Sequence, residues 1–214
     1  MDYSALIVAA GSGERMGLGY NTVFYSLEEG ITVLQKTLQI FVEDSCCKQI
    51  VLVMGKEDLS RAVEENGMKK ILYVLGGKTR QESVFNGLMA VSEEWVLIHD
   101  GARPFLKKEL IERLLASLKT EKACILAVPV KDTIKEITDS YIVKTPHRQL
   151  LVQAQTPQAF ETELIKECYK KARKENIAVT DDAQVVELFS NSKIKIVDGD
   201  YSNKKITTID DIIS

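Results

Sequence analysis

The sequence predicts an α/β domain built on a mostly parallel sheet, and three observations carry that expectation. Short apolar runs alternate with amphipathic stretches along most of the 214 residues. The first run, Ala5–Ala10, is continuously apolar and stops at Gly11, as a strand covered on both faces does. Glycines and charged residues then gather just beyond several of the predicted strands, at the sheet edge where open α/β folds bind ligands.

Each element follows from its own pattern. After Ala5–Ala10, the stretch Ile31–Val42 places Ile31, Leu34, Leu38 and Phe41 on one helical face. Ile50–Met54 reads as the next strand, and a charged helix follows from about Lys56 to Asn66. Ile71–Leu75 is a third strand, and Thr79–Val91 a helix with Val84, Leu88 and Val91 turned inward. Trp95–Ile98 and the helix Lys107–Leu118 come next, then the strand Ala123–Val128. Repeated strand–helix–strand units require right-handed crossovers between parallel strands. Beyond Pro129 the pattern changes. Asp132–Lys144 alternates and reads as an extended hairpin leaving the core, with helices at Glu161–Lys174 and Asp181–Phe189 and a last strand at Ile194–Val197. No repeat, low-complexity tract or flexible linker interrupts the chain, so residues 1–214 are expected to form one domain.

Composition narrows the function classes. Apolar residues make up 45%, enough for a sizeable core. A net charge of −3 without a long basic run argues against nucleic acid or an anionic membrane as the main partner. It leaves room for small phosphorylated ligands, which need only a local cluster of donors. Cys46, Cys47, Cys124 and Cys168 match neither a disulfide nor a zinc framework, which suits reduced thiols in the cytoplasm. The start, MDYSALIVAAG, lacks a basic leader region, and its apolar run is too short for a membrane span.

The loops beyond the strands carry the chemistry, at Gly11–Tyr20, Gly76–Arg80, His99–Pro104 and Pro129–Thr133. In Ala9-Ala10-Gly11-Ser12-Gly13-Glu14-Arg15-Met16-Gly17, glycines let the backbone approach a phosphate closely and Arg15 adds a fork of donors. The dinucleotide fingerprint needs glycine where Met16 stands, and no Walker-type G-x-x-x-x-G-K-[ST] occurs. This loop therefore points to a nucleoside triphosphate. Gly76-Gly77-Lys78-Thr79-Arg80-Gln81-Glu82-Ser83-Val84 leads into a helix N-terminus, favourable for an anion or for hydrogen bonds to a base or ribose. In His99-Asp100-Gly101-Ala102-Arg103-Pro104, Asp100 ends a strand beside the phosphate loop, a suitable place to hold Mg²⁺, and Arg103 can meet a second anion. Without a G-x-S-x-G elbow, His99 reads as a structural histidine rather than part of a hydrolytic triad. Thr180-Asp181-Asp182 has the look of a helix cap.

Together these segments resemble the cytidylyltransferase family of the non-mevalonate isoprenoid pathway, whose members join CTP to 2-C-methyl-D-erythritol 4-phosphate and release pyrophosphate. Seven motifs carry the resemblance in order: AAGSGERMG, GGKTRQESV, HDGARP, VPVKDTIK, QAQTPQAF, TDDA and NKKIT. It implies a Rossmann-like nucleotidyltransferase domain with a protruding β-arm, residues 132–146, used for dimerisation. By the same resemblance Ala9, Ala10, Gly11, Ser12, Gly13 and Arg15 would wrap the triphosphate, and Gly77 with Ser83 would meet the cytidine. Asp100 would hold nucleotide and Mg²⁺, and Lys205 would stand near the α-phosphate. Arg103, Arg148, Thr156 and Thr180 would line the methylerythritol phosphate pocket, with Arg148 serving the neighbouring subunit. Positioning and charge stabilisation carry such a transfer without a covalent intermediate.

The chain departs from the family at one important place. Where the family has Pro-Lys-Gln, with a lysine that stabilises the transition state, this sequence reads Asn21-Thr22-Val23. Arg15 is the only cation in the first thirty-five residues, so Thr22 marks a missing charge. Losing one preorganised donor typically costs roughly 10²–10³ in rate. Val152 is a smaller departure, since an aromatic commonly precedes the QTPQ run. Lys78 and Lys204 are alternatives for the missing charge. Two other functions stay open on these residues: transfer to ribitol 5-phosphate, and a nucleotide-binding homologue with weak or no catalysis.

Overall fold

A computed structural model describes residues 1–11, 13, 19–27, 30–66, 70–208 and 210–213. Its centre is a seven-stranded sheet formed by β1 (Tyr3–Ala9), β2 (Cys47–Met54), β3 (Ile71–Leu75), β4 (Trp95–Asp100), β5 (Ala123–Pro129), β8 (Val152–Glu161) and β9 (Lys195–Asp198). Their order across the sheet is β3-β2-β1-β4-β8-β5-β9. Neighbours run parallel except β8, which is antiparallel to both β4 and β5. The mostly parallel α/β architecture is thus as expected.

Alternation along β1 shows why its sequence is apolar from Ala5 onward. Ala5, Ile7 and Ala9 join one core layer, with α1 (Val33–Glu43), α2 (Leu59–Asn66) and α4 (Lys108–Ser117) contributing Leu34, Phe41, Ala62, Leu110 and Leu114. Leu6 joins the opposite layer, where α3 (Arg80–Leu88), α5 (Thr162–Lys174) and α6 (Asp182–Phe189) supply Val84, Leu88, Ile165, Tyr169 and Val186. A strand buried on both faces takes apolar side chains on both unless a polar one finds an internal partner, as buried Ser4 does by donating to Gln49 Oε1 at 2.7 Å. Helices α1, α3 and α6 start at side-chain caps: Thr32 on α1 as a full capping box with Gln35, Thr79 on α3 and Asp181 on α6. A last short helix, α7 (Asp210–Ile213), lies near the end of the chain.

Two expectations need correction. Ile31 does not belong to the α1 face: it is exposed, before a helix that starts at Val33, and the adjacent Ser26–Thr32 bridge holds the preceding chain extended. The larger miss is β8, ten residues long and central to the sheet, where the sequence pattern suggested no strand. Its inner residues are Gln155, Thr156 and Gln158, polar but buried. Their side chains are satisfied inside the protein: Gln155 donates to the Asp200 carbonyl, and Gln158 donates to Asp181 while accepting from the Ala183 N–H. Polar residues with internal partners erase the apolar signal by which strands are recognised.

The expected hairpin is present. β6 (Glu136–Thr138) pairs with β7 (Tyr141–Lys144) in a separate two-stranded sheet, turned by Asp139 and Ser140, both left-handed. The cysteines are free thiols. Among the described residues no helix is long and apolar enough to cross a membrane.

Leu52 sits fully buried in the middle of β2. Leu52→Ala is expected to cost about 2–5 kcal/mol through lost burial and the cavity left behind, read as a lower urea midpoint at unchanged slope.

Candidate active site

The carboxyl ends of β1 and β4 lie side by side, with Val8 opposite Asp100 and the Gly101 N–H donating to the Val8 carbonyl at 2.9 Å. A cavity of about 740 Å³ opens over them. Ala9 at the end of β1 and Ala10, Gly11 and Gly13 beyond it line the cavity, with Gly77, Lys78 and Ser83 from the turn into α3. Asp100, Thr22, Arg80 and Lys205 also line it. The nucleotide-loop residues Ser12 and Arg15 lie outside the described residues.

Asp100 organises the charges. Lys205 Nζ is 2.9 Å from its Oδ2, Arg80 Nη2 is 3.4 Å from Oδ1, and Arg103 Nε is 3.6 Å from Oδ2. Burial by itself would raise this carboxyl, but Arg80, Lys205 and Arg103 outweigh it and hold it well below the usual carboxylate range. Arg80 is fixed in turn by a two-pronged contact with Asp182, at 2.8 and 3.1 Å. Asp182 is fully buried, and the Tyr169 hydroxyl donates to its Oδ1, the oxygen that Arg80 Nη1 also reaches. Burial works against the Arg80 charge, and Asp182 and Asp100 reverse that effect, leaving the guanidinium more firmly protonated than usual.

Behind Asp100 a relay of hydrogen bonds fixes one tautomer. Between Ile125 and Ala127 of β5, strand β8 passes from Gln158 to Ala154, so Gln155, Thr156 and Pro157 bulge out of the ladder. The Asp100 N–H consequently finds the Thr156 hydroxyl at 3.0 Å instead of a backbone carbonyl. The Arg103 carbonyl, an acceptor only, lies 3.1 Å from His99 Nε2, so that nitrogen carries the proton. His99 Nδ1 then accepts from the Thr156 hydroxyl at 3.0 Å. Burial lowers the His99 pKa to about 4, so the imidazole is neutral near pH 7. His99 is a structural histidine, as its sequence context suggested.

The turn at the missing lysine is held just as firmly. Asn21 Nδ2 donates to the Ala9 carbonyl at 2.7 Å and to Asp58 at 2.9 Å, while Oδ1 accepts from the Val23 N–H. This binds the 3-10 turn Thr22–Phe24 against the end of β1. Gly13 has a φ of 72°, and a Cβ there would lie 2.3 Å from the Tyr20 carbonyl. No other residue fits that close approach.

The remaining expected site residues are placed differently. Arg103 packs behind Asp100 and donates to the Asn203 carbonyl at 2.7 Å. Thr156 is buried with its hydroxyl engaged as described, and neither residue lines the cavity. Arg148 is exposed at the base of the hairpin, donating to the Lys131 carbonyl, and Thr180 is exposed beside the α6 cap with its hydroxyl on Gln184. Sequence reasoning singled out neither Arg80, Asp182 nor Asn21. Arg80 follows a capping threonine at the sheet's ligand edge, a usable signal for an anion-facing cation; Asp182 and Asn21 gave none.

A cavity at the carboxyl edge of a Rossmann-like sheet, lined by glycines together with Lys78, Arg80 and Lys205, defines a nucleotide-binding enzyme of the nucleotidyltransferase class. The 2-C-methyl-D-erythritol 4-phosphate cytidylyltransferase family matches residues 3–214, and the chain belongs to it. The enzyme of that name from Bacillus licheniformis is 42% identical over 221 residues, covering 100% of this chain and 94% of that one. A crystal structure of 4-diphosphocytidyl-2C-methyl-D-erythritol synthase from Anaerococcus prevotii aligns at a TM-score of 0.86 and 41% identity, over 99% of this chain and 93% of that one. The Francisella tularensis 2-C-methyl-D-erythritol 4-phosphate cytidylyltransferase aligns at 0.87 and 31% identity, over 100% and 97%. The ribitol 5-phosphate alternative is not favoured by these relatives.

The lowered His99 pKa sets an acid limit. Unfolded, the ring takes up a proton near its ordinary value of 6.5; folded, only near 4, so stability is lost as pH falls through that window. The urea midpoint is expected to decline between pH 6.5 and pH 4, and His99→Gln to flatten that decline.

Proposed function

We propose that this chain transfers the cytidylyl group of CTP to 2-C-methyl-D-erythritol 4-phosphate and releases pyrophosphate. The observation that carries this reading is the Asp100 cluster, where Lys205 and Arg80 face the cavity from a carboxylate that stays ionised. A phosphate oxygen of the acceptor forms a bond to the α-phosphorus of CTP. The bond from that phosphorus to the bridging oxygen breaks, and pyrophosphate leaves with the electron pair. Both reactants are anions, so cations fixed before they arrive lower the barrier.

The roles divide by position. Ala9 to Gly13 offer backbone close to the phosphates, while Gly77 and Ser83 meet the cytidine. Lys205 stabilises the charge growing around the α-phosphorus. Arg103 and Thr156 support Asp100 from behind, and Arg148 and Thr180 address the acceptor phosphate from the rim. Among the described residues no group of three or more His, Cys, Asp or Glu forms a cage for a metal ion, and Asp100 is the one carboxylate of the cavity wall. That donor set suits Mg²⁺ brought in on the triphosphate, which typically uses one or two carboxylates together with substrate phosphates. Held by Asp100, it would neutralise phosphate charge.

The protein acts in the cytoplasm as a homodimer joined through the arm at 132–146. Ile137, Tyr141 and Ile142 on the hairpin are 62%, 79% and 64% exposed. An isolated hairpin is marginal in water, and clustered exposed apolar side chains mark interfaces. Arg148, next to the arm, would then serve the neighbouring subunit.

Pyrophosphate release from CTP with Mg²⁺ and 2-C-methyl-D-erythritol 4-phosphate tests the reaction. Turnover is expected, falling roughly 10²–10³-fold in Lys205→Ala; no turnover with this acceptor, despite CTP binding, refutes it. Light scattering is expected to report a dimer, and Tyr141→Ser with Ile142→Glu a monomer of reduced activity.

A further inference from the structure

Lys205, the cation held at Asp100, stands on a segment after β9 that is pinned at close intervals. The Gly199 N–H donates to the Ala127 carbonyl at 2.9 Å, and Gln155 of β8 donates to the Asp200 carbonyl. Asn203 is fully buried; its side chain donates to the Thr156 carbonyl at 2.9 Å, and its own carbonyl accepts from Arg103. Past Lys205, the Ile206 N–H donates to the Ala102 carbonyl at 2.8 Å. Between these anchors residues 200–203 close a turn, with the Asn203 N–H on the Asp200 carbonyl and the Ser202 N–H on the Asp200 carboxylate. A turn bonded twice across four residues moves as one block.

Tyr201 projects from that block towards the arm. Its hydroxyl donates at 2.7 Å to the carbonyl of Pro129, the last residue of β5. Lys131, two residues further on, sets its ammonium 3.6 Å from the centre of the Tyr201 ring. The same Lys131 closes the base of the arm, because Arg148 donates to its carbonyl at 2.6 Å and the neighbouring Val130 N–H reaches the Leu151 carbonyl. Of the contacts named for the 199–206 segment, Tyr201's is the one that leads to the arm. The others end on β5, β8 or the turn after β4. Tyr201 is 43% exposed, so core packing does not account for it.

We infer that Tyr201 is a positioning residue that ties Lys205 to the base of the arm, so that an arm seated on a neighbouring subunit holds the Lys205 ammonium in place for cytidylyl transfer. The inference rests on the proposed reaction and the proposed arm contact, and it adds a link between them. The hydroxyl fixes the turn on the end of β5, and the ring receives Lys131. A fixed charge loses its effect steeply when displaced, since a misplacement of about 1 Å can cost roughly 10²-fold in rate.

The test measures kcat and KM for CTP in the unsubstituted protein, Tyr201→Phe and Tyr201→Ala. It repeats Tyr201→Ala in the Lys205→Ala background and in the background of Tyr141→Ser with Ile142→Glu. Tyr201→Ala is expected to lower kcat about tenfold, with KM for CTP changed less than about twofold and the urea midpoint nearly unchanged. Tyr201→Phe, which keeps the ring beneath Lys131, should lose less. In either background Tyr201→Ala should change kcat by less than about twofold, because the lysine it positions or the seated arm is gone. A full tenfold loss persisting in Lys205→Ala would show that Tyr201 acts elsewhere, and the same loss persisting in the arm variant would break the link to the arm; either overturns the inference. Unchanged kinetics in Tyr201→Ala also overturns it while leaving the reaction standing. No turnover in the unsubstituted protein refutes the cytidylyltransferase reading, and a monomer by light scattering refutes the arm contact. The inference falls with either.

Discussion

Asp100 is a carboxylate at the buried end of a central strand, and its ionised state is the constraint around which the site is built. A buried charge without partners is costly, so the chain must bring cations to it. Arg80 comes from the start of α3, Arg103 from the turn after β4, and Lys205 from the segment after β9. Arg80 needs a second carboxylate of its own, and Asp182 at the start of α6 provides it. Each partner lies on a different element, so the charge cluster exists only when the sheet has formed and the layer of α3 and α6 has packed on it.

The antiparallel strand β8 is what makes room for this arrangement. Had it continued the regular ladder past Ile98 and Gln158, the Asp100 N–H would meet a carbonyl and Thr156 would have no special place. The bulge instead inserts the Thr156 hydroxyl between Asp100 and a neutral His99. Asn203 adds a hydrogen bond to the Thr156 carbonyl, tying the segment that carries Lys205 to the same strand. Preorganised charge of this kind costs little reorganisation when a reaction develops new charge nearby.

Much of the site was legible because it sits where sequence signals are strong. Glycines after β1 and β3, a carboxylate at the end of β4 and a capping threonine before α3 all follow from strand ends and helix starts. Strand β8 was not legible, because Gln155, Thr156 and Gln158 are buried through specific partners rather than through apolar character. Arg80 was in view within a quoted motif, but its pairing with Asp182 spans a separation of 102 residues and leaves no local trace. Arg103 and Thr156 were expected among the substrate contacts, and they stand behind Asp100 rather than on the cavity wall.

The sequence by itself determined the parallel α/β class, the cap of α6, the hairpin and the loops that face the ligand edge, since each depends on periodicity or on residues a few positions apart. It also exposed the missing charge at Thr22, which is a matter of composition. Tertiary structure alone decided the place of β8 in the sheet, the neutral tautomer of His99 and the sharing of Asp100 among three cations. Those outcomes depend on which polar groups burial forces together, and such partners are chosen across the folded sheet, not along the chain.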